Sequence, residues 1–484
     1  MYSLKRKKVI LISIVLSLAF HGCVDSSIDE NLVTPKQINE FKTEKSFVNN
    51  ENSLWVVENW WESYGDIQLN ELINEALKES PNMAIAIARL HKADSFTQIA
   101  KASKLPQVNA NAQITEQKLS YNYLTPRSMT PDGFNDYGQV SLNFNWEIDF
   151  WGKNSAMVDA AILDVQSANA QVAQAKLTLS TQIASNYCEL ARLYDNEEIV
   201  KNSITTQKEI LELLSKRYEN GLENKTAINE AKSLILKSEN ELLSIQEQIF
   251  LQKNRLSALM GEGPDRGLLI NRPTLKIDDS NIKLPKDLAL NLLGRRPDIV
   301  ISKLQVEASL KRIDQKKAEF YPNVNLSSFI GLQSLGVNML DKKDSYNASF
   351  GPAISLPIFT AGRLEGELRS NVSNYEELVA LYNQTITQAL NEVADTTQSQ
   401  KVVSTQLLKT QDDVVEANEI FSIKDKRYKN GISNNLEVLN AKLNLINTKR
   451  NLTNLKSRAM TLDIALKHAL GGGYEQTTII TKGN

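Results

Sequence analysis

The side chains that most often carry metal or covalent chemistry are scarce here: three His and two Cys in 484 residues. No Cys-x-x-Cys or His-x-x-His spacing occurs, so neither a structural nor a catalytic metal site is expected. There is no Gly-rich phosphate loop and no nucleophile motif, so the chain does not read as an enzyme and no cofactor is expected. Basic and acidic residues balance at 55 against 57. That removes the basic footprint needed for nucleic-acid binding.

One cysteine is placed for chemistry. Lys5, Arg6, Lys7 and Lys8 form a charged start, and Val9 to Phe20 form an apolar run. The run is too short to span a bilayer, which takes roughly 20 residues. Gly22-Cys23 follows, the arrangement of a bacterial lipoprotein processing site, although Phe20 and His21 replace the usual aliphatic and small residues. Segment 1–22 is therefore read as a signal peptide, Cys23 as the lipid-attachment residue and 23–58 as an anchored tether. Cys188, alone in a helical stretch, reads as a small packed residue. No later apolar run reaches membrane-helix length, so any spanning element of the mature chain must be β.

The elements that must position anything functional are set by a long internal repeat. Arg217-Tyr218-Glu219-Asn220-Gly221 returns as Arg427-Tyr428-Lys429-Asn430-Gly431, an offset of 210. Gly152-Lys153 pairs with Gly362-Arg363 and Gly261 with Gly471 at the same offset. Upstream the offset is 216, matching Pro81 to Pro297 and Pro106 to Pro322, so the length change falls in a variable loop between 106 and 152. The repeats cover 59–261 and 295–472, with a linker at 262–294 and a polar tail at 473–484. Each reads helix, β-hairpin, long helix, turn, return helix.

Period supports those assignments. Ile228, Ala231, Ile235, Leu242, Ile245, Ile249, Leu256 and Leu259 keep a 3,4 spacing broken by Ser238 and Gln252. Val438, Ala441, Leu445, Leu452, Leu455, Ala459, Leu462, Leu466 and Ala469 repeat it, the pattern of a coiled-coil seam. Val200, Ile204, Leu211, Leu214 and Tyr218 supply a partner stripe. A helix over 154–219 would be roughly 100 Å long and its return over 226–260 roughly half that. Helices over 82–105 and 298–320 make up the difference. In 140–150, Val140, Leu142, Phe144, Trp146, Ile148 and Phe150 alternate with polar residues, as in a strand between lipid and water or in a half-buried soluble sheet. Partner strands are expected near 107–118, 323–334 and 346–359. Four strands cannot close a membrane barrel, so the chain must oligomerise.

In this order and spacing, several segments resemble the TolC-like outer-membrane efflux proteins, lipoprotein branch. They are Asn59-Trp60-Trp61, the run from Glu147 to Lys153, Arg295-Arg296-Pro297-Asp298, Phe320-Tyr321-Pro322-Asn323-Val324, and Leu356-Pro357-Ile358-Phe359. The fold is then mainly α with a small β part: a duct with a long coiled-coil α-barrel and four β-strands per protomer in a 12-stranded trimeric β-barrel. The resemblance implies a homotrimer in the outer membrane, a periplasmic adaptor, an inner-membrane resistance-nodulation-division pump, and passive export of drugs or other small molecules. A type I protein-secretion duct is the alternative; Cys23 and Arg295-Arg296-Pro297-Asp298 favour the first. A pore-free periplasmic coiled-coil lipoprotein is disfavoured by the alternating strand and the duplicated geometry.

Carried over position by position, the resemblance puts a periplasmic gate at Leu436, Glu437 and Asn440. A ring of Glu437 would favour cations, weakly so because Asn440 stands where relatives often have an acid. The adaptor-contact surface falls on the tips: Arg217, Asn220 and Gly221 in the first repeat, Arg427, Asn430, Gly431 and Ser433 in the second. Tyr218 and Tyr428 are expected in the seam. The Arg295-Arg296 pair, unfavourable at a helix start, is expected to meet acids elsewhere.

Overall fold

The computed structural model describes residues 32–43, 55–122, 125–275 and 288–476. The signal peptide, Cys23, part of the tether, part of the linker and most of the tail lie outside the described residues.

The duplication is visible in element lengths. After α1 (Ile67–Glu79), the first repeat runs α2 (Pro81–Ala102), β1 (Gln107–Gln117), β2 (Asn135–Ile148), α3 (Lys153–Glu219) and α4 (Lys225–Met260). A short α5 (Pro264–Leu268) and α6 (Leu288–Arg295) lead into α7 (Pro297–Ala318), β3 (Asn323–Leu335), β4 (Tyr346–Ser355), α8 (Arg363–Lys429) and α9 (Asn435–Ala469). Helices α2 and α7 each have 22 residues, and α3 and α8 each have 67. The equal lengths fit an ungapped offset of 216 between α2 and α7 and of 210 between α3 and α8.

Packing groups matching pieces of both repeats. One compact unit contains Leu90–Ala168 with Ser302–Tyr382; the other contains Lys36–Arg89, Asn169–Ile301 and Asn383–Asn484. In the first unit the strands form one antiparallel sheet in the order β1-β2-β3-β4. Small side chains let α2 lie close to α3, where Ala100 meets Val158 and Ala161, and Thr97 Oγ1 donates to the Ala161 carbonyl at 3.1 Å. Strand β2 ends at Ile148 rather than continuing to Phe150. The reason is Asp149, whose carboxylate accepts from the Asn154 and Ser155 amides at 3.1 and 2.8 Å and so caps the start of α3.

In the second unit α3 is bonded to α4 and to α9, and α9 to α8, while Arg450 on α9 also reaches Glu241 on α4. Gln246 on α4 donates to Glu197 on α3, Asn196 on α3 to Asn454 on α9, and Gln400 on α8 to the Leu462 carbonyl on α9. The seam follows the sequence pattern: Ala231, Ile235, Ile245, Ile249 and Leu256 are buried on α4, and Val438, Ala441, Leu445, Leu466 and Ala469 on α9. Gln252 interrupts the pattern in type but not in burial. Its amide donates to the Asn186 carbonyl and Oδ1, both at 2.8 Å, so a polar group sits in the seam with its donors used. Cys188 is buried, as expected, and burial pushes its thiol up.

A larger core surrounds the N-terminal motif. Trp60, Trp61 and Tyr64 pack against Leu72 and Ile73 of α1, Ile183 and Tyr187 of α3 and Ile464 of α9. Asp66 caps α1 through the Leu69 amide (3.0 Å) and also accepts from Tyr187 Oη and the Thr274 amide.

The arginine pair has its acids. Arg296 is only 5% exposed. Its guanidinium forks onto Asp298 at 3.1 and 2.7 Å, meets Glu392 on α8 at 2.7 Å and donates to the Ala469 carbonyl at the end of α9 at 2.9 Å. His468 adds a 3.2 Å contact to Glu392. Burial alone would raise the Glu392 carboxyl, but His468 and Arg296 outweigh it and hold it at about 2. Arg295 stacks on Trp55 and meets Glu475.

Candidate functional site

Two surfaces have the geometry of a function: the sheet in one unit and the helical tips in the other.

The register of the sheet sorts residue types onto two faces. Val108, Leu142 and Ile330 share one face, as do Ile114, Val140, Trp146, Leu326, Phe350 and Ile354. On the other are Asn109, Asn111, Gln113, Ser141, Asn143, Asn145, Asn325, Ser327, Asn347 and Ser349. Alternation in β1, β3 and β4 is weaker in sequence because Ala, Ser and Gly fill some apolar positions and Phe329 and Leu335 fall on the polar face, yet pairing places the remaining large apolar residues in phase with β2. Side-chain bonds run along the polar face, from Asn143 to Ser141 at 3.1 Å and from Asn347 to Gln333 at 2.9 Å. Large apolar side chains on the opposite face stay open in the single chain, Phe350 at 77% and Ile354 at 71%. β1 and β4 each pair on one side only. An apolar face with two free edges is unstable in water and in lipid alike until the edges are joined.

Two of the sequence motifs meet at the base of this sheet. Trp151 stacks on Tyr321 with ring centroids 4.8 Å apart, and its Nε1 donates to the Pro322 carbonyl at 2.8 Å. Phe150, Ile358 and Phe359, from the same set of sequence motifs, are exposed.

The tips share one backbone. In the first, the Gly221 amide donates to the Tyr218 carbonyl (2.9 Å) and Leu222 to Arg217 (2.8 Å); in the second, Gly431 donates to Tyr428 (2.9 Å) and Ile432 to Arg427 (2.8 Å). This pair of bonds closes a helix when the intervening residue is left-handed, and Gly221 and Gly431 have φ of +74° and +73°. Asn224 and Asn434 then cap the return helices through the Ala227 and Glu437 amides, both at 3.0 Å. Asn220 Nδ2 adds a bond to the Lys216 carbonyl at 2.7 Å, while Asn430 is exposed and Ser433 is half-buried.

The side chains of the two tips differ. Arg217 leans on Glu223, Nε to Oε2 at 3.5 Å. The residue matching Glu223 is Ser433, and Arg427 is exposed. Tyr218 and Tyr428 were expected in the seam but are 46% and 42% exposed. They lie at the last turn, past the buried Leu214, where the stripe runs out of partners.

At the expected gate, Val438 faces the seam as predicted, and Asn440 is exposed. Leu436 packs with Leu439 beside Ile210 and Leu214 of α3. Glu437 is not a bare acid: Lys424 on α8 meets it at 2.6 Å, and that bond holds its carboxyl below the usual range. Sequence reasoning missed Lys424. The signal was there, because Lys424 and Glu437 stand where the first repeat has Leu214 and Ala227. It also missed the exposed Leu222 and Ile432, matched apolar residues directly after each Asn-Gly.

The chain matches the family described as outer membrane efflux protein over residues 72–262 and 288–472. It is 31% identical to the fusaric acid resistance protein FusA of Burkholderia cepacia over 65% of this chain and 59% of that protein. With the multidrug resistance outer membrane protein MdtP of Escherichia coli K12 it shares 28% identity over 89% of each chain. Its fold matches the outer membrane protein VceC of Vibrio cholerae at a TM-score of 0.79 and 44% identity, covering 87% of this chain and all of that one.

Proposed function

This chain belongs to the outer membrane efflux protein family, and from that premise we propose how it works. It is an outer-membrane efflux channel of TolC-like fold. As a homotrimer, it passively conducts drugs or other small molecules handed over by a periplasmic adaptor and an inner-membrane pump of the resistance-nodulation-division type. Cys23 carries the lipid that anchors the mature N-terminus.

The observation that carries this reading is the two-faced sheet with both edges free. Three copies joined β4 to β1 give twelve antiparallel strands, apolar outward and amide-lined inward, which is how a barrel wall meets lipid and water. Phe150, Trp151, Ile358 and Phe359 form its aromatic and apolar rim at one interface. A second feature supports the same closure. Helices α4 and α8 carry exposed apolar residues seven apart, Leu236, Leu243 and Phe250 on α4 and Leu408 and Val415 on α8. Such a spacing suits pairing of α4 in one copy with α8 in the next.

The gate is proposed at the α9 start, with Glu437 held by Lys424 and Leu436 docked on α3 in the resting state. Purified protein reconstituted in planar bilayers should conduct, in discrete steps, as a trimer by mass. A protein that stays monomeric in detergent and leaves bilayers silent, even with Lys424→Ala and Glu437→Ala together, would remove the channel reading.

A further inference from the structure

We propose that the two tips are not equivalent docking sites: the second, around Lys426 and Arg427, is built to receive an acidic segment of a periplasmic partner, while the first neutralises itself. This rests on the reading that the tips meet such a partner, and it adds which tip and what chemistry.

The comparison is internal, since the repeat aligns the tips residue for residue. Both close with the same backbone bonds, and both present an exposed apolar residue, Leu222 at 68% and Ile432 at 66%. An apolar contact is therefore available at either tip. The charges differ. Across the matched windows 212–227 and 422–437, three bases stand against three acids in the first and four bases against two acids in the second.

Pairing sharpens the difference. In the first tip Lys216 meets Glu212 at 2.7 Å and Arg217 meets Glu223 at 3.5 Å. In the second, Lys429 is taken by Asp425 at 2.7 Å and Lys424 by Glu437 at 2.6 Å. Among the described residues Lys426 and Arg427 are exposed and form no ion pair. Arg427 is near enough to Glu437 for its charge to act on that carboxyl, but Glu437 is bonded to Lys424, so the exposed guanidinium keeps its own donors for a carboxylate, which it can grip with two parallel bonds. Exposed charge adds selectivity to an apolar contact more than it adds strength, and it is screened by salt. In a trimer the result is three basic sites alternating with three neutral ones, so the partner's orientation around the ring is chosen by charge.

The test uses the full-length channel in detergent and the soluble hairpin domain of an adaptor that restores export with it, with binding measured at low and high salt. Lys426→Glu with Arg427→Glu should weaken binding about tenfold at low salt, an effect largely lost at high salt. Lys216→Glu with Arg217→Glu should change it less than about threefold. Leu222→Asp and Ile432→Asp serve as controls, with trimer mass checked for every variant. If neither apolar change weakens binding, the tips are not the contact and both readings fall. If the apolar changes weaken binding but the two charge reversals act equally, tip docking stands and the asymmetry is overturned.

Discussion

Removing the Arg296 guanidinium should be among the most damaging single changes away from the tips. Its fork and remaining N–H satisfy Asp298, Glu392 and the Ala469 carbonyl together. Arg296→Met keeps much of the volume and deletes every donor. Breaking a buried pair from one side costs about 3–5 kcal/mol. Asp298 and Glu392 keep 32% and 38% of their side chains in solvent, so water can take over part of each. The expected loss is therefore about 3 kcal/mol, the low end of that range. Glu392→Gln should cost less, about 1–2 kcal/mol, because the amide still accepts from Arg296. The double variant should fall short of the sum by about 1 kcal/mol or more, since each change removes what the other protects. Arg296→Lys, which keeps the charge but not the fork, should lie between. Thermal loss of trimer and helix in detergent, at one scan rate because unfolding of such assemblies is seldom reversible, gives the ranking. A melting midpoint for Arg296→Met within about a degree of the parent, or strict additivity with Glu392→Gln, would refute the argument.

Other expectations follow from the same contacts. The Glu392 carboxyl is held at about 2 against an ordinary 4.5, so its contribution is present above 4.5 and is lost as pH falls through 2. Partial exposure limits it to about 1–2 kcal/mol, and Glu392→Gln should flatten the acid limb of a stability–pH curve in that window. A Cβ at Gly471, where φ is +86°, would overlap the Arg295 carbonyl, whereas one at Gly431 meets nothing within 4 Å. Gly471→Ala should therefore cost about 2 kcal/mol more than Gly431→Ala in matched melts. Leu243→Asp should lower the trimer fraction in detergent while leaving the helical circular dichroism of the chain unchanged; a full trimer yield would show that α4 lies outside the protomer interface. Glu437→Gln together with Lys424→Gln should leave ion selectivity nearly unchanged, whereas Lys424→Gln alone, by exposing the acid, should raise cation preference in single-channel recordings.

What the sequence made legible was whatever depends on local chemistry. The long helix expected over 154–219 starts within a residue of α3, and Asn-Gly marked both tips because few other residues tolerate the left-handed turn that a helix needs to close. Contacts between distant residues were not legible. Arg296 declared that it needed acids, but Glu392 lies 96 residues away and only packing of α8 beside α9 brings it near. The faces of β1, β3 and β4 were blurred for a similar reason, since Ala and Ser take a face only once a register assigns it. At the gate, Glu437 was read as an open charge because its partner sits on another helix. The seam was extended one position too far at Tyr218 and Tyr428, since heptad spacing continues in a helix after its partner has turned away.

The amide-lined face of the sheet bears on traffic rather than on structure. Across ten positions shared among four strands, the polar side chains named above are neutral, and Glu147, the acid on that face, is tied to Lys153. Neutral dipoles replace the hydrogen bonds of water for any solute but give no ion a fixed counter-charge beside which to linger. The mouth of such a duct would be non-adhesive: cations, anions and zwitterions would leave it with similar dwell times, and what is exported would not be held back at the exit.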